Sequence, residues 1–263
     1  MKKILSNLYI GFIMLFLYAP IFVLIFYSFN DGKTSVWSGF TFKWYAELFA
    51  SSSLMTALFN SLLVAVLSAT IATILGTFAA IGINNFKGFS KRLTMNISNI
   101  PIINPEIVTG VSIMLLFVFA GQIFHFEMGF MTVLLAHIGF STPYIILNVA
   151  PRLRVRDKNI YDAALDLGCN ERTAFFKVVV PEILPGVLSG FLIAFSFSLD
   201  DFIITYFTCG AQFQTLTIEI YTMLKRRITP SINALSTIIF LTVLFVLIVS
   251  NILSIKKQNK IKQ

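Results

Sequence analysis

The sequence predicts an all-α integral membrane protein with six membrane-spanning helices. Hydrophobic residues make up 57% of the 263 residues, 28 residues are Phe, and only 12% are charged. This composition is not that of a soluble domain. Six apolar stretches are long enough to cross a bilayer as helices, which takes about 20 residues each. They lie near residues 8–29, 58–83, 104–124, 128–150, 184–208 and 235–255, and we expect one transmembrane domain over residues 1–263.

The positions of the basic residues predict the orientation of these spans. Cytoplasmic segments of membrane proteins carry an excess of Lys and Arg. With the N-terminus inside, most of the 20 Lys and Arg residues fall in cytoplasmic segments, and the exceptions are Lys33, Lys43, Lys225, Arg226 and Arg227. We therefore expect both termini and the loop of residues 151–183 on the cytoplasmic side of the membrane. The net charge of +8 does not indicate nucleic acid binding, because the charges lie between apolar spans.

The first three spans differ in their packing signals. The first span is too long to be a cleaved signal peptide. Like the sixth span, it consists mostly of bulky aliphatic and aromatic residues, which favours a position at the periphery of the helix bundle. Small residues of the second span, such as Gly76 and Gly82, predict an inner helix in close contact with other helices. The third span opens with Asn104 as a cap, Pro105 at the first helical position and Glu106 in the first turn. Glu106 is either a simple helix-end acid or part of a cation path.

The fourth and fifth spans contain ionisable residues. His137 stands alone, without metal-ligand spacing around it, which favours a packed and hydrogen-bonded side chain and no metal site. Asp200 and Asp201 are adjacent acids in an apolar run, and such acids usually face a cavity or pair with a base. One interpretation is a structural pair satisfied by the backbone or by outer bases. The other is a cation path that Tyr206 supports through its ring. The six spans contain no Lys or Arg, which favours cations over anions.

The loop between the fourth and fifth spans predicts two short helices joined by a turn. Asn159 is expected to cap the first helix and Gly168 to end it with a left-handed backbone. Asn170 is expected to cap the second helix, which Pro181 should limit. Tyr161, Ala164, Leu165 and Gly168 share one face of the first helix. Small residues on that face would let another surface approach closely.

This loop resembles the EAA loop of ABC-importer permeases. Asp162, Ala163 and Ala164 stand at E-A-A, Gly168 at the glycine, and Val178, Val180 and Pro181 at the closing I-x-L-P. In that family the loop is a coupling helix that docks on a separate ATPase subunit. The resemblance therefore implies that the coupling residues are Asp162, Ala163, Ala164, Leu165, Gly168 and Pro181. An ordinary amphipathic loop is the alternative.

Two further stretches, SLDDF in the fifth span and IYTMLKRRITPSINALST after it, resemble the spermidine/putrescine ABC-importer permeases. The resemblance implies the type I importer permease fold and a subunit of the bacterial inner membrane that passes polyamines into the cytoplasm. The expected partners are an ATPase homodimer that holds ATP and Mg²⁺, a second related permease, an extracytoplasmic polyamine-binding protein, and membrane lipid. The expected path residues are Asp200, Asp201, Tyr206 and Glu106.

The sequence contains none of the catalytic motifs that we searched for. It has no G-x-x-x-x-G-K-[ST], no H-E-x-x-H, no G-x-S-x-G and no Cys/His cluster. We therefore expect no catalytic residues, no cofactor in this chain, and a transporter subunit in place of an enzyme. Two alternatives stay open. One is an ABC permease for another solute, such as a metal ion, thiamine or a phosphonate, and the other is an ATP-independent carrier.

Overall fold

The computed structural model of the chain describes residues 2–32, 36–155, 158–226, 230–242 and 244. Its described residues form helices and no named strand. The helices are α1 (Lys2–Tyr27), α2 (Lys43–Ala50), α3 (Ser52–Asn85), α4 (Gly88–Ile103), α5 (Glu106–Phe124), α6 (Phe130–Val155), α7 (Lys158–Asp166), α8 (Glu171–Ala174), α9 (Val180–Asp200), α10 (Ile203–Thr208), α11 (Leu216–Arg226) and α12 (Pro230–Thr242). A π-helical turn, Phe175–Val179, joins α8 to α9.

Five helical stretches are long and apolar enough to span a membrane, and each overlaps one of the first five predicted spans. They are Ser6–Tyr27, Ser52–Asn85, Glu106–Phe124, Phe130–Arg154 and Glu171–Asp200. The sixth predicted span, 235–255, begins inside α12, but residues 243 and 245–255 lie outside the described residues. Helix α4 was not predicted, because a basic connection was expected there.

The chain divides into two compact units, and the first comprises the described parts of residues 1–55 and 219–263. In this unit the apolar stretch of α1, Ser6–Tyr27, contains no buried residue. In the segment after α1, Asn30 pairs with Phe40 in an isolated antiparallel β-bridge. The Trp44 indole is buried and donates a 2.7 Å hydrogen bond to the Asn30 carbonyl. Aromatic and backbone contacts thus fix the segment between α1 and α2.

The second unit, residues 56–218, holds a core of α3, α6 and α9 packed through small residues. A Cβ atom on Gly76 of α3 would lie 2.6 Å from the Cβ atom of Ile145 on α6. A Cβ atom on Gly186 of α9 would lie 2.6 Å from the Asn148 carbonyl oxygen of α6. Helix axes approach this closely only where a side chain is absent. The prediction that the second span is an inner helix is therefore confirmed.

The start of the third span differs from the prediction by one residue. Asn104 ends α4 instead of capping α5, and the residue before the first turn of α5 is Pro105, with φ −56° and ψ 135°. Proline fixes φ near this value and lacks an N–H, so it stops α4 and lets α5 begin in a new direction. Glu106 lies in the first turn of α5, as predicted.

Candidate functional site

The fifth span is interrupted where the two adjacent acids lie. Helix α9 ends at Asp200, and Asp201 has an extended backbone with φ −62° and ψ 128°. Helix α10 begins at Ile203 and ends at Thr208. A single continuous span over 184–208 was therefore the wrong expectation. Irregular backbone at membrane depth is stable only when its polar groups find partners within the protein.

The Asp201 side chain supplies those partners. Its Oδ2 accepts a 2.7 Å hydrogen bond from the Thr205 N–H and its Oδ1 a 3.3 Å hydrogen bond from the Ile204 N–H. The Thr205 hydroxyl donates to the same Oδ2 atom at 2.8 Å. The Asp201 carbonyl in turn accepts a 2.8 Å hydrogen bond from the Thr217 hydroxyl. The carboxylate thus satisfies the first turn of α10 and fixes the break.

Asp201 also belongs to a buried polar network made of Ser68, His137, Ser198, Asp201 and Thr205. The Nε2 atom of His137 lies 2.9 Å from Thr205 Oγ1 and 3.4 Å from Asp201 Oδ2. Its Nδ1 atom lies 2.6 Å from Ser198 Oγ, which is 2.9 Å from Ser68 Oγ. The side chains of His137 and Asp201 are only 2% and 6% exposed. The network joins α3, α6, α9 and α10 around the break.

The hydrogen bonds fix the position of one proton on His137. The single hydroxyl proton of Thr205 is directed to Asp201, so Thr205 Oγ1 can only accept from the imidazole. Ring atom Nε2 therefore carries a proton. The prediction that His137 is a packed, hydrogen-bonded residue is confirmed.

The two neighbouring acids have opposite surroundings. Asp200 is exposed and has no hydrogen bond or ion pair to any described residue. Tyr206, which is 47% exposed, lies beyond the break, and its ring contacts those of Phe202 and Phe207 at centroid distances of 5.5 Å. Asp201, in contrast, is held by the buried polar network. The break therefore presents one carboxylate outward and uses the other to hold its own backbone.

The first turns of α5 lie beside the same break. A Cβ atom on Gly110 would be 3.0 Å from the Phe207 ring and 3.5 Å from the Ile203 side chain. Glu106 lies one helical turn before Gly110 and is exposed. The structure thus places a second exposed carboxylate within about one helical turn of the contact between α5 and α10.

Sequence reasoning missed the pairing of His137 with Asp201. A depth argument would have found it. His137 lies about 10 Å from the start of the fourth span. Asp201 lies near the end of the fifth span, which is at the same membrane surface. Two polar side chains at equal depth in neighbouring apolar spans are candidates for a pair.

The predicted coupling loop forms the turn that its sequence indicates. Helix α7 ends at Asp166, and Gly168, two residues later, has φ +88°. The Cys169 N–H donates to the Ala164 carbonyl at 3.1 Å and the Gly168 N–H to the Leu165 carbonyl at 2.9 Å. This is the Schellman pattern, in which a left-handed glycine lets the chain satisfy the last carbonyls of a helix. Asn170 then accepts a 2.8 Å hydrogen bond from the Thr173 N–H and caps α8, as predicted.

Two details of the loop prediction are wrong. Asn159 lies inside α7, whose first residue is Lys158, so Asn159 does not cap it. Pro181 does not limit the second helix, because helical structure continues from Glu171 to Asp200. The Val180 N–H bonds to the Phe175 carbonyl in the π-helical turn just before Pro181. This wider turn accommodates a residue that lacks an N–H.

The exposed face of α7 is also not the one expected. Tyr161, Ala164 and Leu165 are half-buried, and Tyr161 packs against the α3, α6 and α9 core. Asp162 and Ala163 are exposed, and Leu167 is 87% exposed. The small residues at 164 and 168 therefore do not share an outward face with Tyr161. The surface open to a partner carries Asp162, Ala163 and Leu167.

The chain was compared with known proteins. Residues 72–255 match the family described as the binding-protein-dependent transport system inner membrane component. The chain is 38% identical to the putrescine transport system permease protein PotI of Escherichia coli strain K12, with 85% of this chain and 81% of PotI covered. It is 34% identical to the spermidine/putrescine transport system permease protein PotC of Haemophilus influenzae, with 97% and 98% covered.

Solved structures agree in fold. A chain of a bacterial ABC transporter involved in the import of the acidic polysaccharide alginate aligns with a TM-score of 0.71 at 14% identity, covering 96% of this chain and 95% of its own. A chain of an amino acid ABC transporter aligns with a TM-score of 0.52 at 18% identity, covering 79% and 98%. The all-helical architecture is that of a type I importer permease. The chain belongs to the family of inner membrane components of binding-protein-dependent transport systems.

Proposed function

We propose that this chain is the membrane-spanning subunit of an ATP-driven importer that carries polyamines into the cytoplasm. Membership of the family implies a multi-pass protein of the inner membrane that works with a substrate-binding protein and an ATPase. The polyamine cargo is inferred from the similarity to permeases named for putrescine and spermidine. The structural observation that carries the proposal is the exposed carboxylate of Asp200 at a helix break, which has no partner among the described residues.

The chemistry of the break suits a multiply charged cation. Exposed carboxylates stand at Asp200 and Glu106, while the predicted spans contain no Lys or Arg to repel an amine. The Tyr206 ring offers a face for an ammonium group. Asp201 would act indirectly, by holding the break in the conformation that exposes Asp200.

The proposed assembly contains two different permeases, an ATPase homodimer and an extracytoplasmic polyamine-binding protein. Docking on the ATPase would use the exposed surface of α7 and its turn, namely Asp162, Ala163, Leu167 and Gly168. Ala164, Leu165 and Pro181 would help to hold that docking surface in position from within this chain. ATP and Mg²⁺ would bind to the ATPase and not to this chain.

The proposed cycle follows from that arrangement. ATP closes the two ATPase subunits and draws the coupling loops together, which opens the path between the permeases to the outside. The binding protein then releases the cation toward the acids at the break. ATP hydrolysis separates the ATPase subunits and returns the path to its inward-facing state.

The orientation can be tested with the two native cysteines. Cys169, in the turn after α7, is exposed, whereas Cys209 is buried, and burial raises the pKa of its thiol. At neutral pH a raised thiol pKa leaves less thiolate to react. We expect a membrane-impermeant maleimide to label Cys169 in inside-out vesicles without bound ATPase, and not in right-side-out vesicles. Labelling in right-side-out vesicles alone would contradict the proposed orientation.

A Cys169→Ser variant is the control for this assay. We expect this substitution to abolish labelling of the folded protein in membrane vesicles. Cys209 should be labelled only after the protein is denatured in detergent. Labelling of the folded variant would show that the Cys209 thiol is accessible.

The cargo is tested by competition in a reconstituted transporter. Proteoliposomes would contain this chain with its partner permease and ATPase. ATP would be supplied on the side of the membrane where the ATPase is bound, and the loaded binding protein on the opposite side. We expect labelled spermidine to be taken up, and excess unlabelled spermidine or putrescine to compete with it. Thiamine, a phosphonate and a divalent metal ion should not compete. Uptake of one of these solutes in place of spermidine would contradict the polyamine proposal.

A further inference from the structure

Helix α4 carries an apolar stripe that no described part of the chain covers. Phe89, Leu93, Ile97 and Ile100 recur every three or four residues and therefore lie along one face. Phe89 is 77% exposed and the other three side chains are between 45% and 57% exposed. The opposite face is half-buried, and its Met95 packs against the core of α3, α6 and α9. The stripe is thus the outward face of a helix docked on its own chain.

Two cations that have no partner among the described residues flank the start of this stripe. Lys87 precedes the first residue of α4, and Arg92 lies on the exposed side of its second turn. Neither forms an ion pair or hydrogen bond with a described residue. Lys91, in contrast, is used internally, because its Nζ atom donates to the carbonyl and side-chain oxygens of Asn84. The segment of residues 85–105 contains no Asp or Glu.

The position of α4 places these groups at a membrane surface. Links of two residues each join α4 to the spans α3 and α5, which keeps both of its ends close to the bilayer. Two spans, α5 and α6, separate α4 from the coupling loop along the chain, so the chain crosses the membrane twice between them. Helix α4 therefore lies on the same side of the membrane as the coupling loop. A lipid at this place would meet cations at one end of the helix and an apolar stripe along its length.

We propose that this α4 surface binds anionic lipid, with the headgroup phosphate at Lys87 and Arg92 and the acyl chains along Phe89, Leu93, Ile97 and Ile100. The pattern is that of amphipathic helices that combine apolar burial with attraction to anionic headgroups. A protein partner would have to leave these two cations desolvated or supply acids for them. The proposal does not depend on the polyamine cargo.

The test places a fluorescent probe on the stripe. A Phe89→Trp variant of the full chain, assembled with its partner permease and ATPase, would be reconstituted in phosphatidylcholine bilayers that contain some phosphatidylglycerol. Quenching by brominated phosphatidylglycerol would be compared with quenching by brominated phosphatidylcholine, after subtraction of the signal of the unsubstituted chain. We expect the anionic lipid to be preferred by about fivefold or more, since one basic side chain near an anionic surface contributes about that factor. The preference should fall as salt is added.

Matched variants separate the possible outcomes. In the Phe89→Trp background, Lys87→Gln with Arg92→Gln should remove the preference while quenching by both lipids persists. Lys43→Gln, at an exposed lysine that pairs with Glu47 elsewhere in the chain, should leave the preference unchanged. A separate Phe119→Trp variant on α5, at a side chain that is 63% exposed, should be quenched equally by both lipids.

Two results would overturn the proposal. Equal quenching of the probe at position 89 by both lipids would show apolar contact without headgroup recognition. An absence of quenching by either lipid, in a complex that melts like the unsubstituted one, would show that another protein covers the stripe.

Discussion

An Asp201→Ala variant is expected to lose about 3–5 kcal/mol in the free energy of unfolding, because it leaves several buried donors without an acceptor and each costs about 1–3 kcal/mol. The substitution removes the acceptor for the Ile204 and Thr205 N–H groups, for the Thr205 hydroxyl and for His137. All these donors are in a region where water cannot readily replace the carboxylate. The apparent melting temperature of the purified complex and the amount of chain in the membrane measure the loss.

The neighbouring acid provides the control for this experiment. Asp200→Ala removes an exposed carboxylate without a partner among the described residues, so its effect should stay within about 0.5 kcal/mol. Asp201→Asn keeps one acceptor oxygen and should fall between the two. Equal melting temperatures for the Asp200→Ala and Asp201→Ala complexes would contradict the structural role of the buried polar network.

An Asp200→Asn variant is expected to lower polyamine uptake at least about tenfold while leaving the complex assembled, because a loss of about 1.4 kcal/mol in binding a cation gives that factor. The amide keeps the size of the side chain and removes the charge that we propose faces the path. Stimulation of ATP hydrolysis by the binding protein should persist, since the coupling loop is untouched. Initial rates of labelled spermidine uptake, normalised to reconstituted complex, measure the effect.

Glu127→Gln is the matched control for the loss of one exposed acid. Glu127 lies in the short connection between α5 and α6 and is exposed, outside the break. We expect its neutralisation to change uptake less than twofold. Equal effects of the two substitutions would indicate a general electrostatic attraction of the cation, and unchanged uptake in both would remove Asp200 from the path.

The spans and the turn chemistry were predictable because both are encoded locally. A bilayer demands about 20 apolar residues wherever a helix crosses it, so composition alone outlines α1, α3, α5 and α6. A left-handed glycine and a capping Asn act on the backbone within three residues of themselves. Gly168 and Asn170 therefore shape the coupling loop as their positions in the sequence indicated.

The predictions that were wrong concern features that depend on packing between distant segments. Tyr161 turns inward because the core of α3, α6 and α9 offers it an apolar surface, which leaves Asp162 and Leu167 outside. The helix continues through Pro181 because a π-helical turn precedes it, and local propensity gives no sign of that turn.

The different surroundings of the two acids could likewise not be predicted from the sequence. Asp200 and Asp201 are chemically identical neighbours, and only the direction of the chain after α9 separates them. His137 and Thr205 come from other elements, and their contacts turn Asp201 into a structural residue.

Spermidine uptake by the complete reconstituted complex distinguishes an ATP-driven importer from an ATP-independent carrier. We predict that uptake requires ATP on the side of the coupling loop and the loaded binding protein on the other side, and that collapsing ion gradients has no effect. Uptake that proceeds without ATP and stops when ion gradients are collapsed would contradict it.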